Sequence, residues 1–170
     1  MMQSIYCGGS FDFDYLGEDY EKKAAADWRA IMLGGVDKLL HNGGVLRLSD
    51  TLSYVGPYYF ESDGMIDREI VDTEMKQIEG CTCAVFLLDG GCCPGTVAEM
   101  VYAATMNKRL RIYYVRDESE TESELRSACW YPIIHCQKIN SEIEAVACKD
   151  AADAREKALD FVNSLKAGHD

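Results

Sequence analysis

The chain has 170 residues, of which 17 are basic and 29 acidic, and 48% of its residues are apolar. A chain of this length can bury a hydrophobic core without disulfides or a structural metal, and its composition is that of one soluble domain spanning residues 1–170. The net charge of −12 argues against nucleic acid or an anionic membrane surface as a partner, because both are bound mainly through clustered Lys and Arg.

The N-terminal residues contain no basic segment followed by an apolar one, and a run of about 18 apolar residues occurs nowhere. The sequence therefore predicts a protein that is neither secreted nor membrane-spanning. Eight cysteines occur without a secretory leader, which favours reduced thiols in the cytoplasm. They lack the paired C-x-x-C spacing of zinc sites, so no metal is expected.

The first quarter of the chain alternates a short strand with an amphipathic helix. Residues 4–7 are a predicted strand, which ends in Gly8, Gly9 and Ser10. Apolar residues at steps of three and four then predict one helix over residues 20–39. A second strand is predicted at residues 45–48.

The middle of the chain contains the clearest strand. Residues 49–63 are predicted to form a long loop with an aromatic run, and a helix is predicted over residues 65–79. Residues 83–88 are six apolar residues in a row, which is typical of a parallel strand covered on both faces. This strand ends at Asp89 in a Gly-rich turn, and the next helix is predicted to begin at Thr96.

The last third predicts a strand at residues 110–115, a short helix or loop in the acidic stretch 117–124, a strand at 131–135 and a closing helix at 151–165. Parallel neighbouring strands require crossover connections, which the repeated strand and helix units provide. The pattern therefore predicts a three-layer α/β sandwich with a mainly parallel, flavodoxin- or Rossmann-like sheet.

Ligands of such a sheet bind beyond the carboxyl ends of its strands, near the point where the strand order reverses. The segment 6–10, the aromatic loop and the segment 89–99 are all predicted to meet at this edge. Glycines there allow backbone N–H groups to approach a ligand, and the N-terminus of the following helix offers unpaired donors. The chain has neither G-x-G-x-x-G nor G-x-x-x-x-G-K-[ST], so dinucleotide and P-loop nucleotide binding have no sequence support.

The segment LLDGGCCPGTVAEMVYAA, residues 87–104, resembles the signature of the nucleoside 2-deoxyribosyltransferase family. In that signature a strand ending in L-D-G is followed by D-S-G-T-x-x-E-x-G-x-A. Residues 5–9, IYCGG, look like the family's I-Y-x-A-G-P, and the helix around Asp72 is similar to its D-L-x-x-I-x-x-[SA]-D. The chain departs from the signature at Cys93-Pro94, which replaces Asp-Ser, and at Val101, which replaces glycine.

The resemblance implies an enzyme that transfers or hydrolyses the (deoxy)ribosyl group of a nucleoside or nucleoside 5′-monophosphate, without metal or cofactor, as a homo-oligomer. It implies Glu99 as the nucleophile on C1′, Asp72 as the donor of a proton to the base, and Asp89 as a ligand of the sugar or a group that orients Glu99. Tyr58, in the aromatic loop, is expected to stack on the base. The other residues expected to contact the substrate are Tyr6, Gly8, Gly9, Ser10, Gly95 and Thr96.

The same residues allow other interpretations. Thr96-x-x-Glu99 is also the pattern of a helix capping box, Asp72 also fits a solvated helix charge, and Asp89 also fits the start of a turn. Residues 90–99 faintly resemble the P-G-G-x-G-T-x-x-E motif of the lysine-decarboxylase-like phosphoribohydrolases, which release a base from nucleoside 5′-monophosphates. A non-catalytic nucleotide-binding module on the same fold is the alternative from another class.

Overall fold

The structure is a computed structural model that describes residues 2–11, 19–40, 44–59, 67–89, 93–115, 130–140 and 142–168. The described strands are β1 (Gln3–Gly9), β2 (Leu46–Arg47), β3 (Leu52–Gly56), β4 (Cys83–Leu88), β5 (Arg109–Val115) and β6 (Ile143–Cys148). The described helices are α1 (Tyr20–Ala26), α2 (Trp28–Leu33), α3 (Val36–Leu39), α4 (Asp67–Gly80), α5 (Pro94–Thr105), α6 (Trp130–Ile139) and α7 (Ala151–Lys166).

The six strands form one sheet in the order β2-β3-β1-β4-β5-β6. Strand β2 pairs antiparallel with β3 at the edge, and the other four pairings are parallel. Renumbered by themselves, the five parallel strands have the flavodoxin-like order 2-1-3-4-5, in which the strand order reverses between β1 and β4. The predicted three-layer α/β fold with a mainly parallel sheet is confirmed.

Helices cover both sides of the sheet, and strand β4 shows how the two layers are built. Successive side chains of a strand point to opposite faces. Cys83, Val85 and Leu87 pack against the layer of α1, α2, α3 and α7, here called the α7 face. Ala84, Phe86 and Leu88 pack against α4, α5 and α6, here called the α5 face. All six side chains are buried, which is why the strand reads as a continuous apolar run.

The helix predicted over residues 20–39 is three short helices. Asp27 ends α1 and caps α2, because its carboxylate accepts a hydrogen bond from the backbone N–H of Arg29 at 2.8 Å. Gly34 ends α2 in the left-handed conformation, with φ of 78°. The apolar period continues across both breaks, so periodicity alone could not locate them.

The prediction of a long loop at residues 49–63 is wrong for the part of this segment that the structure describes. Residues 52–56 form β3, all five of them buried, because this strand pairs with β1 in the parallel part of the sheet. The strand predicted at residues 131–135 is also wrong, since these residues lie in α6. The last strand, β6, was not predicted from the sequence, and the acidic stretch 117–124 lies outside the described residues.

Among the helices in the described part of the chain, none combines the length and the apolar character that are needed to cross a lipid bilayer.

Candidate functional site

The site lies where β1 and β4 end side by side, at the reversal of the strand order. Gly9 pairs with Leu87 in the parallel register, so the carboxyl ends of the two strands are level. Helix α5 follows β4 and begins at Pro94, with Cys93 as its N-cap. Thr96 is therefore inside the helix rather than at its cap, and Glu99 lies in the second turn. The interpretation of Thr96 and Glu99 as a capping box is wrong.

Glu99 is a buried carboxyl group on the α5 face, with 8% of the residue exposed. Burial, together with the negative charge of Glu74 on α4, raises its pKa to about 8. The hydroxyl of Tyr6 and the positive charge of Arg29 act in the opposite direction. Glu99 is therefore a carboxyl group that holds its proton near neutral pH.

Glu74 forms a pair with Glu99. Burial raises the pKa of Glu74, while a hydrogen bond from Glu99 and the charge of Arg29 lower it. Two carboxyl groups in contact ionise in two coupled steps, because the second negative charge is repelled by the first. Of the two, Glu99 is the one whose pKa rises to about 8, so it is the member of the pair that keeps a proton to higher pH.

Tyr6 of β1 completes this cluster. The residue is fully buried, and its hydroxyl makes no hydrogen bond of full geometry within the described part of the chain. The carboxyl group of Glu99 is close enough to influence its ionisation. Burial, followed by the charges of Glu99 and Glu74, raises the pKa of Tyr6 well above its ordinary value of 10.0. The hydroxyl thus stays protonated and is available to Glu99 as a donor.

Gly8 brings β1 close to this cluster. A Cβ atom on Gly8 would lie 2.4 Å from two ring carbons of Phe86 and 3.1 Å from Oε2 of Glu99. The first distance is shorter than real contacts allow, so a side chain cannot be accommodated without displacement. The absence of a side chain here is what permits Glu99 and Phe86 to pack against the strand.

A cavity of about 220 Å³ lies beside the cluster, on the α7 face. Its polar lining consists of Gly9, Ser10, Lys23, Asp27, Asp89 and Arg155. Glu99 does not line this cavity, since it belongs to the opposite face of the sheet.

Ser10 connects the two faces. It lines the cavity, and its hydroxyl also contacts the thiol of Cys93, which is half-buried. The backbone N–H of Thr96, together with other donors that include Ser10, lowers the pKa of Cys93, although the thiol makes no capping hydrogen bond of full geometry. The negative charge of the Cys93 thiolate in turn raises the pKa of Glu99.

The structure does not bring the other two predicted carboxylates to Glu99. Asp72 is exposed, on the side of α4 that faces away from the buried Ile78. Asp89 points to the α7 face, where its Oδ2 accepts a hydrogen bond from Nε of Arg155 at 2.7 Å. The carboxylate beside Glu99 is that of Glu74, which was not predicted.

Most of the predicted substrate contacts lie around the end of β1 and the first turn of α5. They are Tyr6, Gly8, Gly9, Ser10 and Thr96, and Gly95 is exposed in the same turn.

Tyr58 is part of the core instead. It is 1% exposed, its hydroxyl donates to the carbonyl oxygen of Gly44 at 2.9 Å, and its ring packs edge-on against Tyr54. In this position neither ring face is open to a nucleobase.

A signal for Glu74 was present in the sequence. The predicted apolar face of the second long helix contains Val71, Met75 and Ile78. Residues three and four apart share a helix face, which places position 74 beside both 71 and 78, whereas Asp72 has only Met75 of this face at such a spacing. Arg29, which acts on both glutamates, had no signal, because a single arginine in an amphipathic helix is ordinary.

Within the described ranges, no group of three or more His, Cys, Asp or Glu residues is arranged to hold a metal ion.

No protein-family model and no curated protein sequence matches the chain. Among solved structures, it is similar to the CMP N-glycosidase BcmB of Clostridium botulinum, with a TM-score of 0.52 and 14% identity over 94% of this chain and 99% of that chain. It is also similar to the translation elongation factor SelB of Methanococcus maripaludis in complex with a GTP analogue, with a TM-score of 0.52 and 9% identity over 96% of this chain and 33% of that chain.

A third similar structure is a probable GTP-binding protein, engB, with a TM-score of 0.50 and 12% identity over 97% of this chain and 98% of that chain. At these identities the likeness shows the fold alone. The fold and the site together define an α/β protein in which a buried glutamate and a half-buried one form a carboxyl pair near the switch point of the sheet.

Proposed function

We propose that this protein cleaves the N-glycosidic bond of a nucleoside or nucleoside 5′-monophosphate, and that Glu74 and Glu99 carry out the reaction. The observation that supports this most is the contact between Glu74 and Glu99, two carboxyl groups whose pKa values are both raised by burial. Cleavage of a glycosidic bond requires two protonation states, a carboxylate facing C1′ and an acid for the leaving group, which such a pair can supply. The similarity of the whole fold to a CMP N-glycosidase gives further support.

In the first step the proton of Glu99 passes across the shared hydrogen bond to Glu74. The Glu99 carboxylate then attacks C1′ of the sugar while the bond from C1′ to the base nitrogen breaks. Glu74 gives its proton to that nitrogen by way of a water molecule, because Glu74 contacts the nucleophile and the leaving base departs on the opposite side of C1′. This proton neutralises the leaving base. The products of this step are the free base, a glycosyl ester on Glu99 and the carboxylate of Glu74.

In the second step water attacks C1′ of the ester, and Glu99 leaves as a carboxylate. Glu74 takes the proton that the water releases, so the pair again holds one proton and one charge. Hydrolysis results from water as the acceptor, and transfer results when a second base takes its place. Throughout, the hydroxyl of Tyr6 donates to Glu99 and holds its carboxylate in one orientation.

The cavity on the α7 face is the place at the end of β1 where the rest of the substrate could bind. Lys23 and Arg155 both line it, next to Ser10, at the edge of the sheet where ligands of such folds bind. Asp27 and Asp89 line it too, and Asp89 accepts a hydrogen bond from Arg155, so the basic side chains there are balanced by acidic ones. The panel of substrates therefore includes both nucleosides and their 5′-monophosphates.

The experiment is to incubate the purified protein with ribo- and deoxyribonucleosides and their 5′-monophosphates, with and without a second free base, and to separate released and exchanged bases by chromatography. The variants are Glu99→Gln and Glu74→Gln. Glu142→Gln is the matched control, because Glu142 is exposed next to β6 and far from the pair. Base release that is lost in the first two variants and kept in the control supports the proposal.

No release from any substrate would overturn the proposed reaction. Ligand-induced shifts of the melting temperature without turnover would then favour a non-catalytic nucleotide-binding module, since a ligand that binds only the folded state stabilises it.

A further inference from the structure

Arg29 is a fully buried arginine whose three guanidinium nitrogens all have hydrogen-bond partners. Nη1 donates to the carbonyl oxygen of Gly9 at 2.9 Å, and Nη2 donates to that of Ser10 at 2.8 Å. Nε and Nη2 also donate to the two carboxylate oxygens of Asp27 at 2.9 Å and 2.8 Å. The ring of Phe11 covers the guanidinium carbon at 3.6 Å from the ring centroid.

These bonds join two elements at the carboxyl edge of the sheet. Asp27 is the N-cap of α2, and Gly9 and Ser10 end β1. Gly9 adopts a φ of 150°, in a region that side chains rarely occupy. Arg29 therefore binds the carbonyl groups of the two residues that directly follow Gly8.

The position of Gly8 matters for the glutamate pair, because a Cβ atom on this residue would lie only 3.1 Å from Oε2 of Glu99. Movement of the end of β1 would change this distance and the position of the neighbouring Tyr6. A contact at the other face of the sheet thus controls the geometry of Glu99.

The charge of Arg29 also reaches the pair. It lowers the pKa of both Glu74 and Glu99, against the larger effect of burial. The other groups acting on Glu99 are Tyr6 of β1 and Cys93, the N-cap of α5. Around Arg29 itself, the charged and titratable groups that act on it are Asp27, Tyr54 of β3 and Cys7 of β1.

We propose that Arg29 is the positioning residue of this site, which fixes the end of β1 beside Glu99 and places a positive charge within reach of the glutamate pair. Its role in turnover rests on the proposed function, whereas its action on the pair does not. Lysine cannot replace it, because a single ammonium group cannot reach two carbonyls and a bidentate carboxylate at once.

The test compares Arg29→Gln, Arg29→Lys and Asp27→Asn with the wild type. In each protein the carboxyl carbons of 13C-labelled glutamate are titrated by NMR, and the signals of the pair are identified by their loss in Glu99→Gln and Glu74→Gln. Arg29→Gln removes the positive charge, so the titration of the pair is expected to move to higher pH. Asp27→Asn leaves that charge without its carboxylate partner, so the titration is expected to move to lower pH.

Arg29→Lys keeps the positive charge and loses the guanidinium group that bonds to several acceptors at once. Its titration is expected to stay near that of the wild type, while kcat falls by about 100-fold and KM changes less, as expected for misplaced catalytic groups. The control is Arg111→Gln, which removes an arginine paired with Glu144 between β5 and β6 and should move neither the titration nor kcat.

Unchanged titration of the pair in both Arg29→Gln and Asp27→Asn, or shifts of the same sign, would overturn the proposal. If Arg29→Gln does not fold, the Asp27→Asn titration and the kcat of Arg29→Lys still decide it. A wild type that releases no base would end the proposed function, and the titrations would still decide the action of Arg29 on the pair.

Discussion

The carboxyl group of Glu74 in α4 lies in hydrogen-bonding contact with that of Glu99 in α5, in the layer that covers one face of the sheet. Neither helix would place a carboxyl group there for stability, because burying a charge beside a like charge is unfavourable. The contact is the kind of arrangement that active sites use to separate the protonation states of two acids.

The first prediction concerns stability and pH. The pKa of Glu99 rises from 4.5 to about 8 on folding, so the folded protein binds more protons than the unfolded chain between these values. The free energy of unfolding must therefore fall as the pH rises through this window. Glu99→Gln removes the titration, so the variant should gain stability relative to the wild type by about 3.5 kcal/mol between pH 5 and pH 8.

Urea unfolding of the two proteins at pH 5, 6, 7 and 8 measures this difference. The Glu142→Gln variant provides the baseline, because its carboxyl group is exposed. A difference between Glu99→Gln and the wild type that stays constant with pH, or that shrinks as the pH rises, would contradict a raised pKa of Glu99.

The second prediction separates the two carboxylates of α4. Glu74→Gln should reduce kcat by about 100-fold or more, which is the usual loss on removal of a general acid or base. Asp72→Asn should keep kcat within about twofold, a change too small for a group that transfers a proton, because Asp72 is exposed and turned away from Glu99. Steady-state kinetics on the best substrate of the panel give both values. A loss in Asp72→Asn equal to that in Glu74→Gln would restore the role that the family resemblance implied for Asp72.

The layers of the fold could be predicted because a strand buried on both faces is a continuous run of apolar residues in the sequence. Strand β4 was predicted with its observed bounds, since all six of its residues are apolar. Strand β3 contains Ser53 and Gly56, which look like loop residues, and it is a strand because β1 offers it a pairing edge. In β6, Glu144 and Ala147 are exposed and only its two end residues are fully buried, so neither a continuous apolar run nor clean alternation marked it.

For the candidate site, the sequence pointed to the edge of the sheet where β1 and β4 end and to Glu99, because a Gly-rich turn between a buried strand and a helix is a strong local pattern. The partners of Glu99 come from elements far apart in the chain, Glu74 from α4 and Tyr6 from β1. Arg29 acts from the opposite face of the sheet. Contacts of this kind depend on how the layers stack, which local spacing does not contain.

The third prediction uses two glycines as a matched pair. Gly8→Ala should destabilise the protein by roughly 1–3 kcal/mol and reduce kcat, because the added Cβ meets Phe86 at 2.4 Å and crowds Glu99. Gly80→Ala should be neutral or slightly stabilising, because nothing lies within 4 Å of its Cβ position at the end of α4. Thermal unfolding and kcat of the two variants check this. Equal tolerance of alanine at both positions would contradict the close packing of β1 against Glu99.

The fourth prediction concerns Tyr58, whose hydroxyl bonds to the carbonyl oxygen of Gly44 within the core. Tyr58→Phe should lower the free energy of unfolding by about 1 kcal/mol, since that carbonyl loses its partner. The control Tyr131→Phe should change nothing, because Tyr131 is exposed. Tyr58→Leu removes the ring and should lower stability further. KM of the folded variant should stay within about twofold of the wild-type value, whereas loss of a base-stacking contact would raise KM more than this. A rise of KM by tenfold or more in Tyr58→Leu, with stability little changed, would instead place the ring against the substrate base.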